Sequence, residues 1–490
     1  MFHSALQRVA LAVAITAALS GCATVGTDFG TPENVKDASF RHLPQAGTTG
    51  VQQAAHLPAQ WWTVFNDPVL SRLEETALRD NPSVKAAAQR LVQAQEQAGL
   101  SRANQRPSVG VSASVSNSRT SAETSQGIAL GGRSIKGNNY AVGANFSYEL
   151  DLLGRVRRLV EASDAQALAA EADRDGVLLM LSSQLATAYW QLRGLDAEMA
   201  ILNGALGTRQ ESEQLVTARF DAGLSNELDV SRARIELANA KADLHEVQRQ
   251  RNLVEHQLAT LVGASPSAML TAATATPAVL PAPPAIPVGL PASLLSQRPD
   301  LAASVATLRA ANAQIGVAEG AFYPSVSLTG NFGYASEALR NIGESGARQF
   351  SVGPLALSLP IFDGGRNQAN LAIARSRYDE AVANHETKLL TALREVEDAL
   401  SDVQERQLQG EAQSASQTAA ARGYLVARAR YERGVSTYLD VTDAQRSALA
   451  ADRAAVQINT QRLLATVAVA RSLGAGWQPS AQLAAVSIAK

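Results

Sequence analysis

The chain has 490 residues, with 43 Lys and Arg against 45 Asp and Glu, a formal net charge of -2. That length exceeds one ordinary globular core, so several domains or an extended architecture are expected. The balanced charge, with no basic stripe, argues against a nucleic-acid partner. Alanine is abundant and aromatics make up only 5%. Alanine is the best intrinsic helix former, so long, closely packed helices are expected rather than a bulky core.

The N-terminus reads MFHSALQRVALAVAITAALSGCATVG. Arg8 and the free amine supply a short positive region, and Val9 to Leu19 form an apolar stretch too short to span a bilayer. Residues 1–21 therefore read as a secretion signal. Beyond them no run of about 18 apolar residues occurs, so no transmembrane helix is expected. Cys22 is the single cysteine. Its plainer explanation is a small buried hydrophobe, but Leu19-Ser20-Gly21-Cys22 resembles the bacterial lipoprotein box. The resemblance implies cleavage before Cys22, a thioether-linked diacylglycerol and an acylated amine. Two acyl chains already anchor stably. Ala23 stands where the sorting rules for such boxes take aspartate as inner-membrane retention, which favours the outer membrane. With the thiol so used, no disulfide and no cysteine metal site is expected, and the covalent lipid is the only non-protein group implied.

The helix Val84–Asn104 comes next. Two alternating segments follow: Val109, Val111, Ala113 and Val115 against Gly110, Ser112, Ser114 and Ser116, then Tyr140, Val142, Ala144, Phe146 and Tyr148 against Ala141, Gly143, Asn145 and Ser147. Period two gives each strand one apolar and one polar face. Strands of about 10 residues cross a bilayer when tilted, although a half-buried soluble sheet shows the same alternation. From Gly154-Arg155 to Gly223 no proline occurs, and about 65 helical residues would run about 100 Å. Leu178, Leu185, Tyr189 and Leu192 mark its seam. A turn at Gly223 and Ser225 precedes a returning helix, Asp229–Leu261.

An Ala- and Pro-rich linker, 264–292, leads into the same plan again: helix Leu301–Ala321, a strand carrying Val326, Leu328, Phe332 and Tyr334, a less regular segment Phe350–Leu359 with Pro354, a long helix from Gly365-Arg366 to Gly434, a turn with Ser436, and a returning helix Asp440–Leu473. The seam of that long helix is Leu371, Ala374, Tyr378, Ala381, Leu389, Leu393, Val396, Leu400 and Val403, in steps of three and four. ARFDAGLSNELDV at Ala218–Val230 and ARYERGVSTYLDV at Ala429–Val441 agree at seven of thirteen positions. Pro82 answers Pro299, and Pro107-Ser108-Val109 answers Pro324-Ser325-Val326. The chain reads as a tandem duplication of a unit of about 210 residues. Four strands per chain leave edges that lipid does not tolerate. Three copies would supply twelve.

These features together resemble the TolC-like outer-membrane factor family, in the lipoprotein branch that serves resistance-nodulation-division efflux. The residues are the box at Cys22, Trp61-Trp62 with Phe65, Asp67-Pro68 and Leu70, the runs Tyr148–Arg155 and Leu359–Arg366, and the paired turn motifs. The resemblance covers nearly the whole mature chain. It implies a mixed α and β fold: a homotrimeric twelve-strand transmembrane β-barrel continued by a long periplasmic α-helical barrel, four strands per protomer. The divisions are then 1–21 signal, 22–65 lipid anchor and belt segment, 66–263 first repeat, 264–292 linker, 293–473 second repeat and 474–490 belt tail. The long loops Asn117–Asn138 and Ala335–Arg348 would face outward.

The turns at Gly223, Ser225, Gly434 and Ser436 would be the periplasmic tips where an adaptor docks. Asp440 and Asp443, three apart on a helix start, would line the entrance as six carboxylates around the axis, favouring cations. Tyr431 matches the family's gate tyrosine. Asp229 matches Asp440, but Arg232 stands where Asp443 would be. Capping is the competing role for Asp229 and Asp440, with Asn226 and Thr437 as N-caps. Ser436 falls where some members carry a gate arginine, which puts their closing network in doubt here. No zinc-ligand spacing, phosphate loop or catalytic set is visible, and His385 on the seam reads as a packed residue. A passive duct is expected, partnered by a periplasmic adaptor, an inner-membrane transporter and outer-membrane lipid. The alternatives are a non-conducting periplasmic lipoprotein spacer and an outer-membrane duct for type I protein secretion.

Overall fold

The structure, a computed structural model, describes residues 24–30, 57–267, 279–284, 298–478 and 480. Cys22, the signal segment, most of the linker and the end of the tail lie outside the described residues.

The helices among them are α1 (Pro68–Asp80), α2 (Pro82–Ala103), the short α3 (Ser125–Ala129), α4 (Arg155–Asp221), α5 (Glu227–Leu261), α6 (Pro299–Gly320), α7 (Arg366–Glu432) and α8 (Tyr438–Ser472). The strands are β1 (Ser108–Arg119), β2 (Lys136–Leu150), β3 (Ser325–Ser336) and β4 (Arg348–Ser358). The two long helices, α4 and α7, have 67 residues each, and the returning helices α5 and α8 have 35 each. Both long helices start after a glycine in the left-handed region, Gly154 at φ 83° and Gly365 at φ 87°. Asp151 and Asp363 accept backbone N–H groups of the first turns, which suits the positive end of the helix dipole.

The four strands form one antiparallel sheet in the order β1-β2-β3-β4. Its register aligns Val111 with Ala144, Ala144 with Phe332 and Phe332 with Phe350, so one face is apolar across all four strands. Asn145 pairs with Asn331 on the other face. The irregular fourth segment is resolved by a bulge: Leu328 pairs with Leu355 but Gly330 with Val352. The extra residue keeps Phe350, Val352, Leu355 and Leu357 on the apolar face, and Pro354 sits where the ladder is interrupted. That face is bare, with Val111 79% and Val352 84% exposed. The outer edges of β1 and β4 have no partner strand among the described residues.

The helices form a single layer. Beside the sheet the order is α2, α4, α6, α7; at the far end it is α5, α4, α8, α7. Half-length helices meet end to end beside the long ones. Asn81 donates to the Leu261 carbonyl at 2.8 Å, joining α2 to α5. Arg298 donates to the Ser472 carbonyl at 2.9 Å, joining α6 to α8. Arg298 is balanced by Asp300 and Glu395, each at 2.8 Å.

The main core lies midway, where Trp61, Trp62, Phe65 and α1 pack on α4. Tyr189 and Trp190 are fully buried, their rings 5.1 Å apart, and Phe65 sits 5.2 Å from Trp190. The Tyr189 hydroxyl donates to Asp67 at 2.7 Å, while the other Asp67 oxygen caps α1. Burial and that carboxylate push the Tyr189 phenol up. On α7 the seam from Ala374 to Leu400 faces inward, while Val403 is 37% exposed. His385 is buried and bonded through Nδ1 to Ser304 at 2.7 Å. Because the Ser304 hydroxyl donates to the Leu301 carbonyl, His385 is the donor to it, and burial lowers its pKa.

Candidate functional site

Each long helix reverses at a glycine in the left-handed region, Gly223 at φ 71° and Gly434 at φ 74°. The Leu224 N–H reaches back to the Arg219 carbonyl at 2.8 Å, and Val435 to Arg430 at 3.0 Å. These are Schellman closures, which an L side chain at the glycine would strain. The next helix then starts with a side-chain cap. Asn226 Oδ1 accepts the Asp229 N–H at 2.9 Å. Asp440 accepts the Thr437 N–H and hydroxyl, each at 3.0 Å.

The acidic residues are therefore occupied unequally. Asp229 is half-buried and also takes Asn226 Nδ2 at 3.2 Å, Ser225 Oγ at 3.4 Å and Arg232 at 3.5 Å. Asp440 is turned back to Thr437. Asp443 is exposed and faces Arg446 at 3.7 Å. Ser436, the repeat partner of Ser225, has its hydroxyl buried with no hydrogen-bond partner among the described residues.

Tyr431 lies in a small core with Val216, Val230, Ala233, Tyr438 and Val441, drawn from both repeats. Its ring is 5.6 Å from that of Tyr438. The Arg219 guanidinium sits 4.8 Å over the Tyr431 ring and donates to its carbonyl at 3.3 Å, a cation–π contact between the two tips. Burial, with Tyr431, Glu236 and Asp229 nearby, pushes the Tyr438 phenol up to about 12.

Behind this core runs a column of ion pairs. Glu236 of α5 is buried between Arg209 of α4 at 3.1 Å and Arg446 of α8, whose Nε lies at 2.9 Å. One level higher, Arg453 of α8 reaches Glu198 at 2.8 Å and Asp243 at 3.4 Å. Gln445 donates to Ser212 at 3.2 Å. The arrangement fastens the second-repeat hairpin to the first through polar contacts in layers.

Sequence reasoning singled out Gly223, Ser225, Asp229, Tyr431, Gly434, Ser436, Asp440 and Asp443, and all lie in this end of the molecule. Gly154, Arg155, Gly365 and Arg366 lie at the opposite ends of the long helices, where Arg155 holds Glu149 at 2.8 Å. Arg219, Arg209, Glu236, Tyr438 and Arg446 were missed. A signal was present: Tyr438 stands where the first repeat has Glu227, and Arg446 where it has Ile235. At both positions the two copies differ in chemistry, and both second-repeat residues contact the first repeat.

The family model described as Outer membrane efflux protein matches residues 73–264 and 290–475. The chain belongs to the outer membrane efflux protein family. It is 34% identical to the outer membrane protein OprJ of Pseudomonas aeruginosa over 442 residues, covering 89% of this chain and 91% of that one. It is 31% identical over 467 residues to the cation efflux system protein CusC of Escherichia coli O6:H1, covering 95% and 98%. The solved outer-membrane channel OprN superposes with a TM-score of 0.84 at 33% identity, covering 93% of this chain and all of that one. As an outer membrane efflux protein, the chain is the outer-membrane duct component of a tripartite efflux system of the resistance-nodulation-division type, a channel rather than an enzyme. The clasp at the tips is thus a feature of a duct.

Proposed function

We propose that three copies of this chain close into a twelve-strand barrel in the outer membrane, continued by a helical tunnel through which solutes pass outward. The observation that carries this reading is the sheet. Seven bulky apolar side chains on β1 and β4 (Val109, Val111, Val115, Phe350, Val352, Leu355 and Leu357) are each more than 60% exposed, and both edges are unpaired among the described residues. Neither feature is stable in water or lipid without closure. The helix layer supports the same closure, because its margins carry exposed Leu100 on α2, Leu253 on α5, and Leu390 and Leu408 on α7.

On this reading the chain belongs to the lipoprotein branch and carries acyl chains on Cys22. Support comes from the residues that follow. The Val25 N–H donates to the Leu153 carbonyl at 2.9 Å, and Arg158 holds the Val25 and Gly26 carbonyls at 3.1 and 3.0 Å and Asp28 at 2.8 Å. Cys22 is two residues before Thr24, a reach of about 7 Å, so its lipid would emerge where sheet gives way to helices.

The tips receive a periplasmic adaptor, and an inner-membrane transporter supplies the energy. The exposed Asp443 carboxylates, with Asp440 beside them, bias the entrance toward cations. The cargo is set by the transporter. CusC is named for cations, but only four methionines occur here, so a methionine relay has no support.

Single-channel recording of the purified protein in planar bilayers tests the reading. A cation-preferring conductance, with drug accumulation in a deletion strain, is expected. A trimer that inserts without conducting would favour the spacer. Mass spectrometry of the N-terminal peptide, with Cys22→Ala as control, decides the lipid.

A further inference from the structure

Within the chain, one joint between sheet and helices is closed. The turn from β2 into α4 packs on α6, and Gly154, Val156 and Arg158 are buried there. Arg155 runs over Gly320, where an added Cβ would stand 3.0 Å from it. Arg158 runs over Gly316 in the same way, at 3.0 Å, and a Cβ added at Gly26, in the segment before β1, would stand 2.8 Å from the Gly316 Cα. The glycines of α6 are explained by that close approach.

The duplication supplies a second set of the same parts but leaves them apart. The turn from β4 into α7 repeats the turn from β2 into α4. In that turn Ile361 is 93% and Phe362 91% exposed, and Gly365 and Arg366 are bare. The repeat of α6 is α2, at the opposite margin of the layer. Gly99 answers Gly316, and Ala103 answers Gly320. Only the tip of Glu96, at 3.8 Å, comes near a Cβ built on Gly99, and Leu100 beside it is 64% exposed. A glycine in a helix interior costs about 1 kcal/mol against alanine. Nothing among the described residues accounts for it at Gly99.

Strand direction brings the halves together. Every neighbouring pair in the sheet is antiparallel. If β4 of one copy pairs with β1 of the next in the same sense, the end of β4 at Ser358 arrives beside the start of β1 at Ser108. That start directly follows α2. Ile361 and Phe362 are thereby delivered to the Gly99–Ala103 face of the neighbouring copy.

We infer that the Ile361–Arg366 turn docks on α2 of a second copy along Gly99, Leu100 and Ala103, repeating between chains the joint that α4 and α6 make within one. The inference rests on the ring-closing reading above and adds where the seam is locked. By the same repeat, Arg366 answers Arg155 and comes over Ala103, Ala369 answers Arg158 and comes over Gly99, Ile361 and Phe362 close against Leu100, and α7 gains on α2 the flank that α4 has on α6.

Two variants test it on the full-length protein in detergent. With Leu100→Cys and Phe362→Cys in one chain, mild oxidation is expected to give covalent dimers and trimers on denaturing gels, and neither single variant should do so. Gly99→Leu should raise helix propensity, so a purely local role predicts equal or greater stability. Docking predicts the opposite: a trimer that dissociates at least 10 °C lower, with helix content by circular dichroism unchanged. A wild-type trimer by light scattering that shows no cross-link and is indifferent to Gly99→Leu would overturn the docking and leave the ring standing. A wild type that is monomeric by the same measurement would remove the ring, and the docking with it.

Discussion

The middle of the molecule and its tips are held by different forces. At the middle, Trp61, Phe65, Leu70, Leu185, Tyr189, Trp190 and Leu192 are buried in one aromatic and aliphatic core. At the tips the apolar core shrinks to a few residues, and fastening passes to Arg219 over Tyr431, Arg446 on Glu236 and Arg453 on Glu198. Apolar burial is non-directional and is lost only when water enters. A charged pair that opens is partly compensated by solvation, so its net contribution is smaller than its Coulomb attraction. A duct that stays sealed along its length and, on the proposed reading, opens at its tips would use both kinds of joint. Apolar volume is thus concentrated at the middle and ion pairs between the repeats at the tips, and on the proposed reading those ion pairs mark where the tips would part.

The sharpest way to break the comparison is to remove volume at the middle. Trp190→Ala should destabilise the whole chain by about 3–5 kcal/mol, read as a lower thermal midpoint with all helices melting together. Independent melting of the two ends would show that the core does not organise them. At the tips, Glu236→Leu strands the buried Arg209 beside it. Breaking such a pair costs about 3–5 kcal/mol, but the loss should stay local. Hydrogen exchange should rise in Arg219–Val230 and Tyr431–Val441, and the core around Tyr189 should keep its protection. Exchange that rises equally in both places would mean the tip is not a separate joint.

Much of this division was legible in the sequence. The absence of proline from Arg155 to Asp221 and from Arg366 to Glu432 gave both long helices, and the glycines that end them lie in the left-handed region the turns require. Alternation gave three strands cleanly. The fourth read as irregular because a bulge shifts its phase, and phase is visible only once the partner strand is known. Tyr189 and Leu192 were marked as seam residues, but Trp190, beside Tyr189 and equally buried, was not, since a seam drawn for one neighbour omits the face that meets Phe65. The tip network was hidden for the same reason. Glu236, Arg209 and Arg446 lie on three helices far apart in the chain, and no spacing along one helix announces them.

Glu74 sharpens the comparison from the other side. It is a carboxyl inside the apolar half, fully buried, with neither oxygen hydrogen-bonded among the described residues, and burial raises its pKa well above the usual carboxylate range. The unfolded chain ionises it near its ordinary value of about 4.3 while the folded chain does not. Folding therefore loses stability as pH rises from the unfolded value toward the raised folded one. Glu74→Leu should stabilise the protein by about 1–3 kcal/mol near pH 4, the cost of an unsatisfied buried polar group, and by more at pH 7.5, where the unfolded chain is ionised. The gain should shrink as the pH approaches 4, where both states are protonated. A gain independent of pH between 4 and 7.5 would show that Glu74 contributes by shape alone.

The smallest expected change in stability, and the one closest to function, is at Asp440 and Asp443. Asp440 caps α8 through Thr437, and loss of such a cap costs about 1 kcal/mol. Asp443 is exposed and only loosely paired with Arg446, so its removal should cost less. The double substitution Asp440→Ala with Asp443→Ala should therefore leave the thermal midpoint nearly unchanged. It should widen the entrance, raise single-channel conductance and reduce cation preference in planar bilayers. The two single variants separate the roles. Asp440→Asn keeps an acceptor for the Thr437 N–H while removing the charge, so it should lose selectivity without loosening the helix start. Asp443→Ala should change selectivity with no effect on the cap. If conductance and selectivity are untouched in all three, these carboxylates serve the helix alone, and the entrance is governed by the Arg219, Tyr431 and Glu236 contacts behind them.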